Sequence, residues 1–226
     1  MLQKSRKLLD SNSTIAYNPL KMATDKLIAL CILMLFSPVI GLILAGMFLA
    51  SVFRPQDRGP VIYREPRYSQ GRRFYILKFR VLKKEMLQQV QSEKEHSRTY
   101  EKDITNLTLA GRYLKKWYLD ELPQLISVLR GDMSLVGPRP WPETNYKNQL
   151  ARGVVYRKLI MAGWTGPGQL CKGRVPEDEI TQCSEEADME YVARCRTSSP
   201  FSLLAYDLKL LLKTVHTMLE GKGIFD

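Results

Sequence analysis

The chain has 226 residues, 45% hydrophobic and 25% charged, with a formal charge of +11. That length suits one compact domain, or a membrane anchor plus one small domain, and that balance excludes global disorder. The basic excess attracts phosphate in any form (nucleic acid, anionic lipid headgroups, nucleotides) without choosing among them.

In chain order, Lys4, Arg6, Lys7, Lys21 and Lys26 outnumber Asp10 and Asp25 ahead of the first apolar run. From Leu27 to Phe53 no residue is charged. As a straight helix that run is about 40 Å long, and a span needs only about 20 apolar residues. It is too long for a signal peptide and lacks a small-residue cleavage site. After it come Arg54, Arg58, Arg64, Arg67, Arg72, Arg73, Lys78, Arg80, Lys83 and Lys84, against Asp57 and Glu65. Positive flanks favour the cytoplasmic side, and one straight span cannot put both flanks there. Ser37-Pro38, near the middle, removes a backbone donor and predicts a bend, with Ser37 as a partner for the freed carbonyl. Re-entry on one face fits both flanks; a Pro-kinked ordinary span with its N-terminus outside is the alternative. The chain thus divides into a basic segment (1–20), a re-entrant membrane helix (21–54) and a cytoplasmic domain (55–226).

Gly59-Pro60 marks a turn, Val61-Ile62-Tyr63 a short strand, Tyr68-Ser69-Gln70-Gly71 a hairpin turn and Phe74 to Phe79 a second strand. Residues 83–103 are highly charged without an apolar period, which predicts an exposed, partly mobile segment. Leu107 to Trp117 reads as an amphipathic helix with Leu109, Tyr113, Leu114 and Trp117 on one side. A helix then starts with Asp120 as N-cap, tolerates Pro123 in its first turn and stops at Arg130-Gly131. Residues 132–142 and 163–174 are rigid Gly/Pro-rich loops. Ser202 to Leu219 is the last helix, with an apolar stripe of Leu203, Leu204, Leu208, Leu211, Leu212 and Val215 that packs on the domain or lies in a membrane interface. Cys31, Cys171, Cys183 and Cys195 form no CxxC pair and have no histidine cluster beside them, so they read as reduced bystanders and a zinc site is disfavoured.

Adjacent acids at a helix start are ordinary, and local chemistry alone reads Asp120-Glu121 first as a cap. Three features raise a catalytic reading: the proline-shaped helix start, the cations Lys115, Lys116 and Arg139 around it, and the stiff Gly137-Pro138-Arg139-Pro140 loop. A carboxylate at a helix N-terminus stays ionised, as a nucleophile must. A pyrophosphate target would call for a metal and fixed cations, with Glu121 on magnesium and Arg139, Lys78 or Arg80 on phosphate oxygens. Lys78-Phe79-Arg80 reads equally as a strand with exposed basic ends or a lipid-headgroup contact. No P-loop, dinucleotide fingerprint or nucleic-acid module is present.

Leu119-Asp120-Glu121-Leu122-Pro123-Gln124-Leu125 with Leu129-Arg130-Gly131-Asp132-Met133-Ser134-Leu135-Val136-Gly137-Pro138-Arg139-Pro140 resembles the bacterial sugar transferase family, the monotopic phosphoglycosyl transferases. Ser37-Pro38, Gly59-Pro60-Val61, Lys78-Phe79-Arg80, Thr165-Gly166 with Gln169, and Asp188-x-x-Tyr191 support the resemblance, which runs from about Leu20 to the C-terminus. It implies a helix-dominated α+β fold: a re-entrant helix kinked at Ser37-Pro38, then a small cytoplasmic domain with a short β-hairpin and amphipathic helices. It implies that Asp120 attacks a UDP-sugar, releases UMP and passes the phospho-sugar to a polyprenyl (undecaprenyl) phosphate at the cytoplasmic face of the bacterial inner membrane. By the same resemblance Glu121 holds Mg2+, while Lys78, Arg80, Lys115, Pro138, Arg139 and Asp188 line the substrate site. Lys115 stands where the family often has arginine, a point charge in place of a fork. The implied partners are the UDP-sugar, the polyprenyl phosphate and membrane lipid, and not nucleic acid; a homo-oligomer is left open. The chain looks like the minimal catalytic form, without the further N-terminal membrane helices of larger relatives. Val81-Leu82, Glu65-Pro66-Arg67, Pro167-Gly168 and Cys171-Lys172 depart from the family pattern and leave the sugar open. A scaffold or regulator of polysaccharide assembly that has lost turnover is the alternative, and the intact Asp120-Glu121 pair argues against it.

Overall fold

The computed structural model describes residues 13–93, 97–171 and 174–219. The basic residues Lys4, Arg6 and Lys7, with Asp10, and the Lys172 of the later loop lie outside them. In order the chain forms α1 (Pro19–Leu35), α2 (Ser37–Phe53), β1 (Ile62–Ser69), β2 (Arg72–Phe79), α3 (Lys84–Glu93), α4 (Ser97–Glu101), α5 (Leu109–Lys116), α6 (Gln124–Arg130), β3 (Ser134–Val136), α7 (Glu143–Ala151), α8 (Tyr156–Leu159), β4 (Gly163–Thr165), α9 (Ile180–Thr197) and α10 (Pro200–Leu219). The fold is helix-dominated α+β, as expected. Two compact units interleave along the chain: Met1–Ala29, Pro66–Tyr75 and Leu125–Asp226 form one, Leu30–Glu65 and Ile76–Gln124 the other.

β1 and β2 form the expected hairpin. Its turn residues Gln70 and Gly71 both have positive φ, 48° and 75°, the backbone of a type I′ connection whose twist matches the strands.

In the first unit, the two Gly/Pro-rich loops each contain a short strand that no periodicity announced. β3 and β4 pair in parallel, Ser134 with Gly163 and Val136 with Thr165. Glycine is what permits the approach: a Cβ on Gly163 would meet the Gly137 nitrogen at 2.1 Å, and one on Gly166 would meet the Gly137 oxygen at 2.1 Å. Around this pair lie the buried Leu125, Met133, Leu135, Tyr156, Leu159 and Tyr191. The start of α1 docks through charge. Lys21 Nζ lies 2.6 Å from Asp207 Oδ2 and 3.3 Å from Asp25 Oδ2, all three residues buried. Tyr17 and Ser134 hydroxyls donate to Asp25, at 2.6 and 2.5 Å, and Tyr191 donates to Asp207 at 2.8 Å. Lys21, counted above as part of a basic membrane flank, is therefore an internal cation. In α10, Leu203, Asp207 and Leu210 are buried while Phe201, Leu208, Leu212 and Val215 stay exposed, so its apolar stripe is only partly covered.

One further expectation fails in this unit. Cys171 and Cys183 are joined in a disulfide rather than reduced, while Cys31 and Cys195 are free. A short 3₁₀ helix (Pro167–Cys171) packs on α9 and brings the two Cα atoms to 6.0 Å, within bonding range; no sequence spacing signals that approach.

In the other unit, α1 and α2 are bent by 57° at Phe36. No single described helix is long and apolar enough to cross a membrane; the bent pair passes that test only together. Pro38 leaves the Met34 carbonyl without its helical donor, and the Ser37 hydroxyl supplies one at 2.8 Å, as the sequence suggested. The pair leaves Leu27, Met34, Leu35, Leu42, Phe48 and Phe53 uncovered.

The described residues of 83–103 are not simply exposed: α3 and α4 fill much of the segment, with Leu87, Val90, Ser97 and Glu101 buried, and residues 94–96 lie outside the described residues. Lys84, Glu85, Lys102 and Asp103 are exposed, and such charges hid a short inward period. α5 begins at Thr108, whose hydroxyl accepts from the Gly111 N–H at 2.8 Å, a standard N-cap. Of its supposed single apolar side, only Leu114 is buried; Tyr113 and Trp117 are 64% and 63% exposed. The correction is one of helical phase, since Leu109, Tyr113 and Trp117 follow an i, i+4 row that Leu114 does not share.

Replacing Lys21 with alanine strands Asp25 and Asp207 in the interior. The expected loss is about 3–5 kcal/mol, read from denaturant unfolding in detergent. A loss under about 1 kcal/mol would show that the tyrosine and serine hydroxyls suffice to hold both carboxylates.

Candidate active site

Tyr118 adopts a left-handed backbone, φ 53°, and folds Leu119–Glu121 into a tight 3₁₀ turn. α6 begins only at Gln124. Asp120 is therefore not the N-cap of α6, and no helix N-terminus holds its charge. The turn instead aims it inward: Asp120 is 1% exposed, and neither carboxylate oxygen has a hydrogen-bond partner among the described residues.

Two lysines bracket it. Lys115, in the last turn of α5, places Nζ 3.7 Å from Asp120 Oδ2 and 2.5 Å from Glu101 Oε2. Lys78, near the end of β2, places Nζ 3.2 Å from Glu121 Oε1. Alternation breaks down at the end of β2: along Ile76, Leu77, Lys78 and Phe79 every side chain is buried, so Lys78 is not an exposed basic strand end. Three carboxylates and two ammonium groups thus lie together, with Asp120, Glu101 and Lys78 buried.

Burial dominates the electrostatics of Asp120 and pushes its pKa up to about 6; Lys115 and Lys78 pull it down, Glu121 and Glu101 push it further up. It is charged at neutral pH, but against burial rather than with a helix dipole behind it. For Glu101, burial is outweighed by Lys78 and Lys115, which hold its pKa at about 2. Burial works against the Lys115 charge too, yet Asp120 and Glu101 raise its pKa overall. Glu101 is the member that sequence reasoning missed. It lies in the segment read as a solvated charge run, and an isolated acid in such a run carries no signal of its own.

Arg80, expected on a phosphate, has another task here. It is buried, its Nε donates to the Pro60 carbonyl and its Nη1 to the Leu82 carbonyl, each at 2.8 Å, and its Nη2 donates to the Asp57 carbonyl. Five donors in a rigid fork suit such a multiple backbone clamp. Pro138, Arg139 and Asp188 belong to the other unit. There the Pro138 carbonyl accepts from the Gly163 N–H at 2.9 Å. Arg139 Nη1 donates to Gln169 Oε1 at 3.3 Å. Asp188 is buried and fully engaged: Oδ1 accepts from the Gly168 N–H at 3.1 Å, Oδ2 from Tyr156 at 3.2 Å and from Arg157 at 3.0 Å. Burial raises its pKa to about 6 against the pull of Arg157 and the Gly168 N–H.

No group of three or more His, Cys, Asp or Glu side chains able to cage a metal exists among the described residues. Magnesium rarely needs one, being held by one or two carboxylates and substrate phosphates. The carboxylate of Glu121, beside the unsatisfied oxygens of Asp120, fits that donor set.

The profile of the family described as bacterial sugar transferase matches residues 16–221. The chain is 33% identical over 212 residues to the UDP-N-acetylgalactosamine-undecaprenyl-phosphate N-acetylgalactosaminephosphotransferase of Aeromonas hydrophila, covering 92% of this chain and 45% of that one. It is 33% identical over 211 residues to the UDP-glucose:undecaprenyl-phosphate glucose-1-phosphate transferase of Escherichia coli (strain K12), covering 91% and 41%. A Caulobacter vibrioides protein of that same description is 32% identical over 223 residues, covering 93% of this chain and 74% of its own length. The chain thus spans less than half the length of the first two.

A carboxyl whose pKa rises from the ordinary 3.8 to about 6 on folding destabilises the fold when charged. That penalty is absent below about pH 4 and complete above about pH 6. Asp120→Asn should therefore gain about 3 kcal/mol of stability near pH 8 and nothing near pH 4. Denaturant titrations in EDTA and detergent at both pH values check this. A gain that does not change with pH, or a loss near pH 8, contradicts the assignment of the shift to a buried charge.

Proposed function

The chain belongs to the bacterial sugar transferase family, and on that premise we propose that it is a phosphoglycosyl transferase. It takes a sugar-1-phosphate from a UDP-sugar and delivers it to a polyprenyl phosphate. The observation that carries this reading is the Asp120 carboxylate, buried, without a hydrogen-bond donor among the described residues, and beside Lys115. A carboxylate in that state is poorly solvated and so a strong nucleophile.

Asp120 attacks the sugar-bearing phosphorus. The bond from that phosphorus to the bridging oxygen breaks, UMP departs with the electron pair, and an aspartyl phospho-sugar remains. An oxygen of the polyprenyl phosphate then attacks the same phosphorus, frees Asp120 and yields a polyprenyl diphosphate sugar. Lys78 and Lys115 steady the charge that develops on the phosphoryl oxygens. Glu121 would hold magnesium, which when bound neutralises the pyrophosphate and eases the departure of UMP. Arg139 is a further phosphate contact. Arg80 acts from outside the reacting groups, by holding residues 57–60 against β2.

The bent pair of α1 and α2 is the membrane element of this reading. It dips into one leaflet and returns, so both basic flanks stay on the cytoplasmic face of the bacterial inner membrane. Its exposed apolar side chains and the locally satisfied bend at Ser37-Pro38 support that placement.

The test incubates the detergent-solubilised chain with UDP-sugars and magnesium. UMP release and an adduct of phospho-sugar mass are expected, both lost in Asp120→Asn, with Glu121→Gln slowed on the order of 10²–10³-fold. Turnover that survives Asp120→Asn would sink the nucleophile assignment.

A further inference from the structure

Arg157 plays no part in the reaction just described, yet it is one of the most constrained side chains in its unit. It sits in α8, 5% exposed, with its guanidinium carbon 3.8 Å from the Trp141 ring centroid and 4.6 Å from that of Tyr156. Its Nε donates to the Arg139 carbonyl at 3.2 Å and its Nη2 to Asp188 Oδ2 at 3.0 Å. Asp188 in turn accepts the Gly168 N–H on Oδ1. The next residue, Gln169, accepts from the head of Arg139 through Oε1 and is itself held by donating to the Trp164 carbonyl at 3.4 Å.

These bonds close on themselves. From the Arg139 carbonyl they pass through Arg157, Asp188 and the Gly168 amide to Gln169, then return to the Arg139 guanidinium. Gly168 has no room to yield: a Cβ there would meet Asp188 Oδ1 at 2.7 Å and the Ser184 carbonyl at 2.8 Å. Both ends of Arg139, main chain and head group, are thus fixed by one ring.

We propose that Arg157 and Asp188 are positioning residues that set the orientation of Arg139 for a phosphate of the nucleoside-diphosphate substrate, and that Asp188 does not itself contact substrate. The inference rests on the role given to Arg139 in the proposed function. Lysine cannot replace Arg157, because one ammonium on a flexible stem does not reproduce a planar fork that binds a carbonyl and a carboxylate together.

The experiment is a double-mutant cycle on the full chain in detergent, with UDP as probe and calorimetric Kd as readout, for wild type, Arg157→Lys, Arg139→Ala and the double variant. Arg157→Lys should weaken UDP on the order of tenfold in wild type and by less than about twofold once Arg139 is gone. An equal cost in both backgrounds overturns the proposal, as does an Arg139→Ala variant that binds UDP like wild type. Should circular dichroism show Arg157→Lys unfolded, Asp188→Asn takes its place in the cycle with the same expectation. If both are unfolded, the ring is scaffold only and the proposal fails. UMP release from UDP-sugars is followed in parallel. Coupled UDP affinities without UMP release would refute the reaction and leave the ring intact, whereas UMP release with additive affinities would do the reverse.

Discussion

A carboxylate withdrawn from water, with no hydrogen-bond donor among the described residues, is tolerable only where cations stand near it, and in this protein that requirement shapes the residues around Asp120. Lys115 reaches it from a helix and Lys78 from a strand, yet each has a closer acidic partner, Glu101 and Glu121 respectively. The cations therefore stabilise Asp120 through space without occupying its lone pairs. A direct hydrogen bond from either ammonium would lower its energy further and blunt it as a nucleophile. The arrangement gives up stability at the position where reactivity is needed, a common pattern at functional sites.

How much of this was legible in the sequence depended on whether the signal was local. The hairpin turn at Gln70-Gly71 and the bend at Ser37-Pro38 are written in residues with narrow backbone preferences, and both stand where they were expected. The acidic pair was legible as a motif, but its physical setting was not. Proximity to Pro123 suggested a capped helix start, and the left-handed Tyr118, an uncommon conformation for a bulky residue, made a 3₁₀ turn instead. Glu101, the β3–β4 pairing and the Cys171–Cys183 bond were invisible for a shared reason. Each depends on segments distant in sequence meeting at a particular register, and three-residue strands or single side chains leave no period to detect.

The same distinction separates the two arginines expected to bind phosphate. Arg80 and Arg139 look alike as sequence, each basic and each in a stiff setting. In the fold Arg80 gives its donors to three backbone carbonyls, whereas the Arg139 head group meets a neutral glutamine oxygen. The carbonyl behind that head group is held by another arginine, Arg157.

The ion pair between Lys21 and Asp207 has a consequence in time as well as in space. Its partners lie 186 residues apart, so a ribosome making this chain delivers the apolar pair α1–α2 long before the acid that anchors the start of α1. Through that interval Asp25, one turn away, can neutralise Lys21. The first helix is thus born with an internal counter-ion and acquires its permanent one last, which ties completion of the fold to the emergence of α10.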